Sequence, residues 1–273
     1  MKKIESSEIY NDYDGFAEFY DKYWTMHIPE LFEEALEDLL FSEIKKNSDF
    51  LELCCGTGNV ANIISNRGYN VVGLDGSEEM IKKAKTKNHN VEFVVGDARN
   101  FKLNKKFQAV TCLFDSINHM LEENDVLKVF QSVYEHLDNN GIFIFDSNSE
   151  NSLIESEYSD FTKVNDDSIF IVLSKYSKKT KLIKYNVTYL LKDNNSNDLN
   201  VDTNNNKLKN NGLWNRFDLE INERYYSNSK IEKLLKKAGF KNITYRTATS
   251  IGLDIFEDRS FWKAYKWDME ICI

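Results

Sequence analysis

The stretch Phe50-Leu51-Glu52-Leu53-Cys54-Cys55-Gly56-Thr57-Gly58-Asn59 constrains this chain more than any other. It opens as a short apolar run bounded by polar residues and closes in glycines, the pattern of a buried parallel strand entering a tight turn. Val60, Ala61, Ile63 and Ile64 then recur at helical spacing, so the segment reads strand, glycine turn, helix. At such a turn glycine lets the backbone approach a ligand, and the free N–H groups of the helix start favour an anionic or electron-rich group. Gly56-Thr57-Gly58-Asn59-Val60-Ala61 also satisfies the pattern of dinucleotide-binding turns. A purely structural turn satisfies it too, so the rest of the chain must decide.

A second apolar strand ends at Asp75, 17 residues past Gly58, near the spacing at which an acidic residue receives ribose hydroxyls. A carboxylate offers two acceptors to a vicinal diol. Asp75 as a helix N-cap is the plainer alternative, but Ser77 suits that role better, with Met80 on the helix that follows. Residues 91–95 predict a third strand ending Gly96-Asp97-Ala98-Arg99. Residues 107–114 predict a fourth, ending Asp115-Ser116-Ile117-Asn118-His119, and 141–145 a fifth, ending Asp146-Ser147-Asn148. Strands alternating with helices imply a parallel sheet with right-handed crossovers. Chemistry-bearing residues at the strand ends imply a ligand crevice along that edge. Ahead of these elements, Phe16, Phe19, Tyr20 and Tyr23 give an N-terminal helix one aromatic face, which docks on the core or lids a pocket. Pro29 opens a helix expected to run to Ile44.

After Asn148 the rhythm changes. Residues 168–176, 182–191 and 214–226 are long strand-like runs with no helices between them, an antiparallel lobe with one wet face. Residues 229–238 resume as a helix capped by Gly239, and 243–249 and 260–265 finish as two strands. The expected division is a core at 1–150, an inserted β lobe at 151–226 over the acceptor site, and 227–273 completing the core. The asparagine-rich tract 193–211 reads as a solvated loop. The 273 residues carry a net charge of −9, which disfavours a nucleic-acid substrate. No run approaches the ~18 apolar residues of a membrane span, and Met1-Lys2-Lys3-Ile4-Glu5 has no apolar signal core. Cys54, Cys55, Cys112 and Cys272 show neither disulfide nor metal spacing. A reduced, cytoplasmic protein without a bound metal is expected, and an exposed edge of the lobe would allow two copies to pair as a homodimer.

Taken in order, these pieces resemble the class I S-adenosylmethionine-dependent methyltransferases, a Rossmann-like α/β fold with a seven-stranded sheet and helices on both faces. Glu52–Gly58 is similar to the family's first motif, Leu74–Met80 to its second and Gly96-Asp97-Ala98 to its third. Asp115–His119 resembles the segment after the fourth strand in aminosugar N,N-dimethyltransferases and glycine N-methyltransferases. Phe16–Asp21 and the helix ending Ala238-Gly239-Phe240 resemble the small-molecule subgroup. Cys54 departs from the pattern by standing at the first glycine position. The resemblance implies methyl transfer to a small-molecule acceptor, most directly an amine, with hydroxyl or thiol acceptors and a non-catalytic cofactor-binding module as alternatives. It implies that Glu52 anchors the glycine turn and the methionine amino group, and that the backbone at Cys54, Gly56, Thr57 and Gly58 faces the methionine moiety. Asp75 would take the ribose, with Gly76 and Met80 along the adenine and Gly96, Asp97 and Ala98 at its edge. Leu113 and Phe114 would lie near the sulfonium, and Tyr13 and Tyr20 would close over the cofactor. His119 is the candidate catalytic base, its ordinary pKa suiting neutral pH, or a histidine that shapes the pocket. Arg224, Arg246 and Trp262 are candidates for enclosing the acceptor. A nicotinamide dehydrogenase shares the glycine turn and the acid after the second strand, but not Gly96-Asp97-Ala98 or the closing helix and strands.

Overall fold

Strand β1 (Asp49–Leu53) is buried over Phe50, Leu51, Glu52 and Leu53, as an apolar run interrupted by one acid requires for a strand covered on both faces. It pairs in parallel with β2 (Asn70–Asp75) on one side and β4 (Phe107–Cys112) on the other. The register sets Glu52 beside Gly73 and Thr111. β3 (Glu92–Val95) extends the parallel set beyond β2, and β5 (Leu137–Ser147) beyond β4. β11 (Ser260–Tyr265) pairs antiparallel to β5, and β10 (Lys241–Thr247) antiparallel to β11. The seven-stranded order is β10-β11-β5-β4-β1-β2-β3. The computed structural model describes residues 6–24, 28–157, 160–192, 213–251, 253 and 258–266. The tract 193–211, His27 and Cys272 lie outside the described residues, as do the side chains of Tyr10, Tyr23, Trp24, Pro29 and Leu31.

The crossovers are α3 (Asn59–Asn66), α4 (Glu78–Lys87) and α5 (Glu123–His136). Ser77 caps α4, its hydroxyl accepting from Met80 N–H at 3.2 Å. α1 (Ser6–Phe19) runs into a π-helical turn at Tyr20–Trp24, and α2 (Ile28–Leu36) into another at Glu37–Phe41. The helix expected as far as Ile44 is therefore shorter and changes pitch. α6 (Glu150–Glu157) follows β5, and α7 (Asn228–Ala238) ends at Gly239 with φ +111. The fourth strand stops at Cys112 instead of Phe114, because Phe114 and Asp115 turn into left-handed backbone at φ 61 and 50. Among the described residues no helix is long and apolar enough to cross a membrane.

Contacts divide the chain into two compact units, Met1–Leu153 with Glu223–Ile273, and Ile154–Asn222. The second holds the antiparallel sheet β6 (Phe161–Val164), β7 (Ser168–Ser177), β8 (Leu182–Lys192) and β9 (Trp214–Arg224), in that spatial order. Phe170, Val172, Ile183, Val187 and Tyr189 form its buried face, while Leu173 and Phe217 stand exposed on β7 and β9. α6 and β6 are additions to the expected plan.

Candidate active site

The turn after β1 is built from left-handed backbone. Cys54, Gly56 and Gly58 have φ of 56, 51 and 79. Gly58 opens α3, and a Cβ there would lie 2.7 Å from the Phe93 ring, so no other residue fits. Cys54 pays the conformational cost that glycine at this family position would avoid, about 1–3 kcal/mol. Its side chain packs against the core in part compensation. Cys54→Gly should therefore shift stability by less than about 1 kcal/mol, whereas Cys54→Val, branched and left-handed, should lose at least about 2. Urea unfolding of the two variants checks this.

Glu52 sits on β1 behind the turn, 2% exposed, and accepts a hydrogen bond from the Thr111 hydroxyl on β4. Burial pushes its carboxyl up to about 8, the Thr111 bond opposing that shift and Asp146 adding to it. Asp75, at the end of β2, accepts Gly56 N–H at 2.8 Å and Ser77 N–H at 2.9 Å. Burial raises its carboxyl, and these backbone donors hold it down. One side chain thus ties the turn after β1 to the turn after β2, and each oxygen keeps acceptor capacity.

The N-terminal helix docks across α4. Asp14 Oδ1 accepts from the Ser77 hydroxyl at 2.5 Å and Glu79 N–H at 3.2 Å, while Glu18 pairs with Lys83 and Asp21 with Lys87. Lys87 also reaches Asn59 Oδ1 at 2.8 Å and the buried Thr57 hydroxyl at 3.2 Å. A row of acids at helical spacing therefore meets polar groups of α4, and this places Tyr20 over the glycine turn. A Cβ on Gly56 would lie 3.4 Å from its ring.

Beyond β2, Gly96 follows β3 and Ala98 is buried. Asp97 turns both oxygens on Arg99, whose Nη2 is 2.6 Å from Oδ2 and whose Nε is 2.9 Å from Oδ1. Arg99 also reaches Asp125 at 3.3 Å. Met80 and Leu113 are buried, and Phe114 stacks on Phe32 with centroids 4.3 Å apart.

On the other side of β4 the Tyr13 hydroxyl lies 3.2 Å from His119 Nδ1. Burial raises the Tyr13 phenol, and Glu223, Asp115, Tyr20 and Asp75 raise it further. The Tyr13 hydroxyl therefore feels several carboxylates at once. Behind it Asn148 Nδ2 donates to Asp115 Oδ2 at 2.8 Å and to Glu223 Oε2 at 2.9 Å. Arg259 pairs with Asp146 at 2.5 Å and Asp115 at 3.2 Å. Burial, then Asp115, push the Glu223 carboxyl well up, while burial pushes Asp146 up to about 6 against the pull of Arg259.

Sequence reasoning missed Glu223 and Arg259. The acids at the ends of the fourth and fifth strands were the available signal for their partners. Of the residues expected to enclose the acceptor, Arg246 forms an exposed pair with Asp38 and Trp262 is a core side chain donating to Ser147 Oγ at 3.1 Å. Arg224 holds the Leu121 carbonyl at 2.5 Å. Each of these three makes a structural contact, and the cation beside Asp115 and Asp146 is Arg259, its side chain 11% exposed.

The site fits a nucleoside with a cationic tail. It has acceptors at Asp75, close-approach backbone at Gly56 beneath an aromatic ring, and a buried carboxyl at Glu52. A family model described as a methyltransferase domain matches residues 50–141. An S-adenosylmethionine-dependent methyltransferase from Clostridium acetobutylicum ATCC 824 superposes with a TM-score of 0.71 at 25% identity, over 94% of this chain and 100% of that one. The dTDP-3-amino-3,4,6-trideoxy-alpha-D-glucopyranose N,N-dimethyltransferase of Streptomyces venezuelae is 28% identical over 130 residues, 47% of this chain and 55% of that protein. A glycine/sarcosine N-methyltransferase of Halorhodospira halochloris is 26% identical over 168 residues, 57% of this chain and 61% of that protein. The fold, the glycine turn with its two carboxylates and these likenesses agree: the chain is an S-adenosylmethionine-dependent methyltransferase.

Proposed function

We propose that this enzyme methylates the nitrogen of a small-molecule amine. The observation that carries the reading is the Tyr13–His119 pair, 3.2 Å apart. The charges of Glu223, Asp115 and Asp75 all act on Tyr13. The S. venezuelae and H. halochloris relatives, both named as N-methyltransferases, support nitrogen as the acceptor atom.

Bound S-adenosylmethionine supplies a methyl group already activated on a sulfonium. The protein's part is alignment, exclusion of water and removal of the acceptor's proton. Asp75 holds the ribose hydroxyls, with Gly76 and Met80 along the adenine. Gly96, Asp97 and Ala98 bound its edge. Glu52 faces the methionine ammonium, and the backbone of Cys54, Gly56, Thr57 and Gly58 lies along that tail. Leu113 and Phe114 give the sulfonium an apolar wall, and Tyr20 and Tyr13 close the site. His119, held by Tyr13, takes the proton from the amine.

Incubation with S-adenosylmethionine and matched amine, hydroxyl and thiol acceptors, read by mass spectrometry, should give the methylated amine with one equivalent of S-adenosylhomocysteine. Methylation confined to hydroxyl or thiol members would overturn the reading. On the amine, His119→Ala should lower kcat by about a hundredfold or more and remove the acid limb of the pH profile. An unchanged rate and profile would exclude His119 as the base.

A further inference from the structure

One group of buried and half-buried charges is not needed to hold the methyl donor. Asp115, Asp146 and Glu223 bring three carboxylates together behind the end of β4. Among the described residues one guanidinium pairs with them, Arg259, through Asp146 and Asp115. With all three ionised, the group carries two negative charges in excess. Its hydrogen bonding is unbalanced in the same sense. The amide of Asn148 donates to Asp115 and Glu223, but its Oδ1 has no donor, and neither has Asp146 Oδ1. Asn148 is 5% exposed and Asp146 0%. Buried acceptors are nearly always paired, and uncompensated buried charge is expensive.

The cluster is therefore short of positive charge and of N–H donors together. A hydroxyl or thiol offers one donor and no charge. An ammonium group offers a full charge and up to three donors in a small volume. A metal ion is a poorer match, since among the described residues no group of three or more His, Cys, Asp or Glu side chains is placed to hold one. The location is also apt. Glu223 and Asp115 are the charges that act most strongly on Tyr13, which touches His119.

We propose that Glu223, Asp115 and the side-chain oxygen of Asn148 recognise the ammonium group of the acceptor and select amines over hydroxyl and thiol compounds. The proposal rests on the methyl-transfer reading and names its specificity-determining residues. Glu223 and Asp115 set the charge that is accepted. Asn148, held by both carboxylates, turns its free acceptor to a third N–H.

The test uses n-propylammonium chloride and uncharged n-propanol as probes, with the Asn148 side-chain amide followed by NMR. n-Propylammonium should shift that signal saturably and n-propanol should not. Glu223→Gln, which keeps the side-chain shape, should weaken the n-propylammonium response at least about tenfold and leave S-adenosylhomocysteine affinity within about threefold by calorimetry. Equal responses to both probes, or an unchanged response in Glu223→Gln, would overturn the proposal. So would a tenfold loss of S-adenosylhomocysteine affinity in that variant, which would give the cluster to the donor's own ammonium. If Glu223→Gln does not fold, the comparison of the two probes on the native protein decides alone. Failure of the native protein to bind S-adenosylhomocysteine would instead remove the methyl-transfer reading beneath it.

Discussion

Asp75→Ala is expected to weaken S-adenosylhomocysteine binding by more than about a hundredfold and to destabilise the protein at the same time. The affinity term comes from the two ribose hydroxyls, since hydrogen bonds to a charged group contribute about 1.5–3 kcal/mol each. The stability term comes from the backbone. The carboxylate holds Gly56 N–H at 2.8 Å and Ser77 N–H at 2.9 Å, and each half-buried donor left unpaired costs about 1–3 kcal/mol. Asp75→Asn separates the two terms. Its amide oxygen can keep one backbone partner, so stability should partly recover while affinity stays low. Calorimetry and urea unfolding on both variants make the comparison. Native-like affinity in Asp75→Ala would remove Asp75 from the cofactor site.

Glu52→Gln is expected to stabilise the ligand-free protein in alkaline solution, by up to about 5 kcal/mol above pH 8.5. The Glu52 carboxyl is raised by burial from 4.5 to about 8. Below the ordinary value both folded and unfolded chains hold the proton, and its stabilising effect is complete. Between there and about 8 the unfolded chain loses the proton first, so stability falls by about 1.4 kcal/mol per pH unit from this group alone. Asp146, raised to about 6, and Asp75 and Glu223, also raised, contribute in the same direction. Unfolding at pH 5.5, 7 and 8.5 should show the native protein weakening with pH and Glu52→Gln weakening less. The glutamine can still accept from Thr111 but carries no counter-charge, so donor binding should weaken as well. A pH dependence identical in the two proteins would show that Glu52 ionises normally.

What was legible in the sequence follows the range of the physics. Phe50–Leu53 announces a central strand because Phe50, Leu51 and Leu53 put apolar side chains on both faces, and it is buried on both. Ser77 reads as a cap because its hydroxyl serves an amide three residues on. The end of β4 was misjudged by two residues, since nothing local to Phe114 and Asp115 foretells left-handed backbone in two non-glycine residues. β6 escaped notice because Phe161 and Val164 are exposed, so its burial pattern carries no alternation to detect. Arg224, Arg246 and Trp262 are residue types suited to an acceptor pocket, but packing gives each a different structural contact.

The cofactor half of the site was written locally, in a strand, a glycine turn and an acid at the end of the next strand. Parallel pairing with a right-handed crossover brings such ends to one edge whatever the remainder of the chain does. The other half depended on folding at long range. Asn148 meets Glu223 across 75 residues and Arg259 meets Asp115 across 144. No periodicity connects residues so far apart, and only the packed core decides which charges are buried together, because removing water is what makes each of them seek a partner.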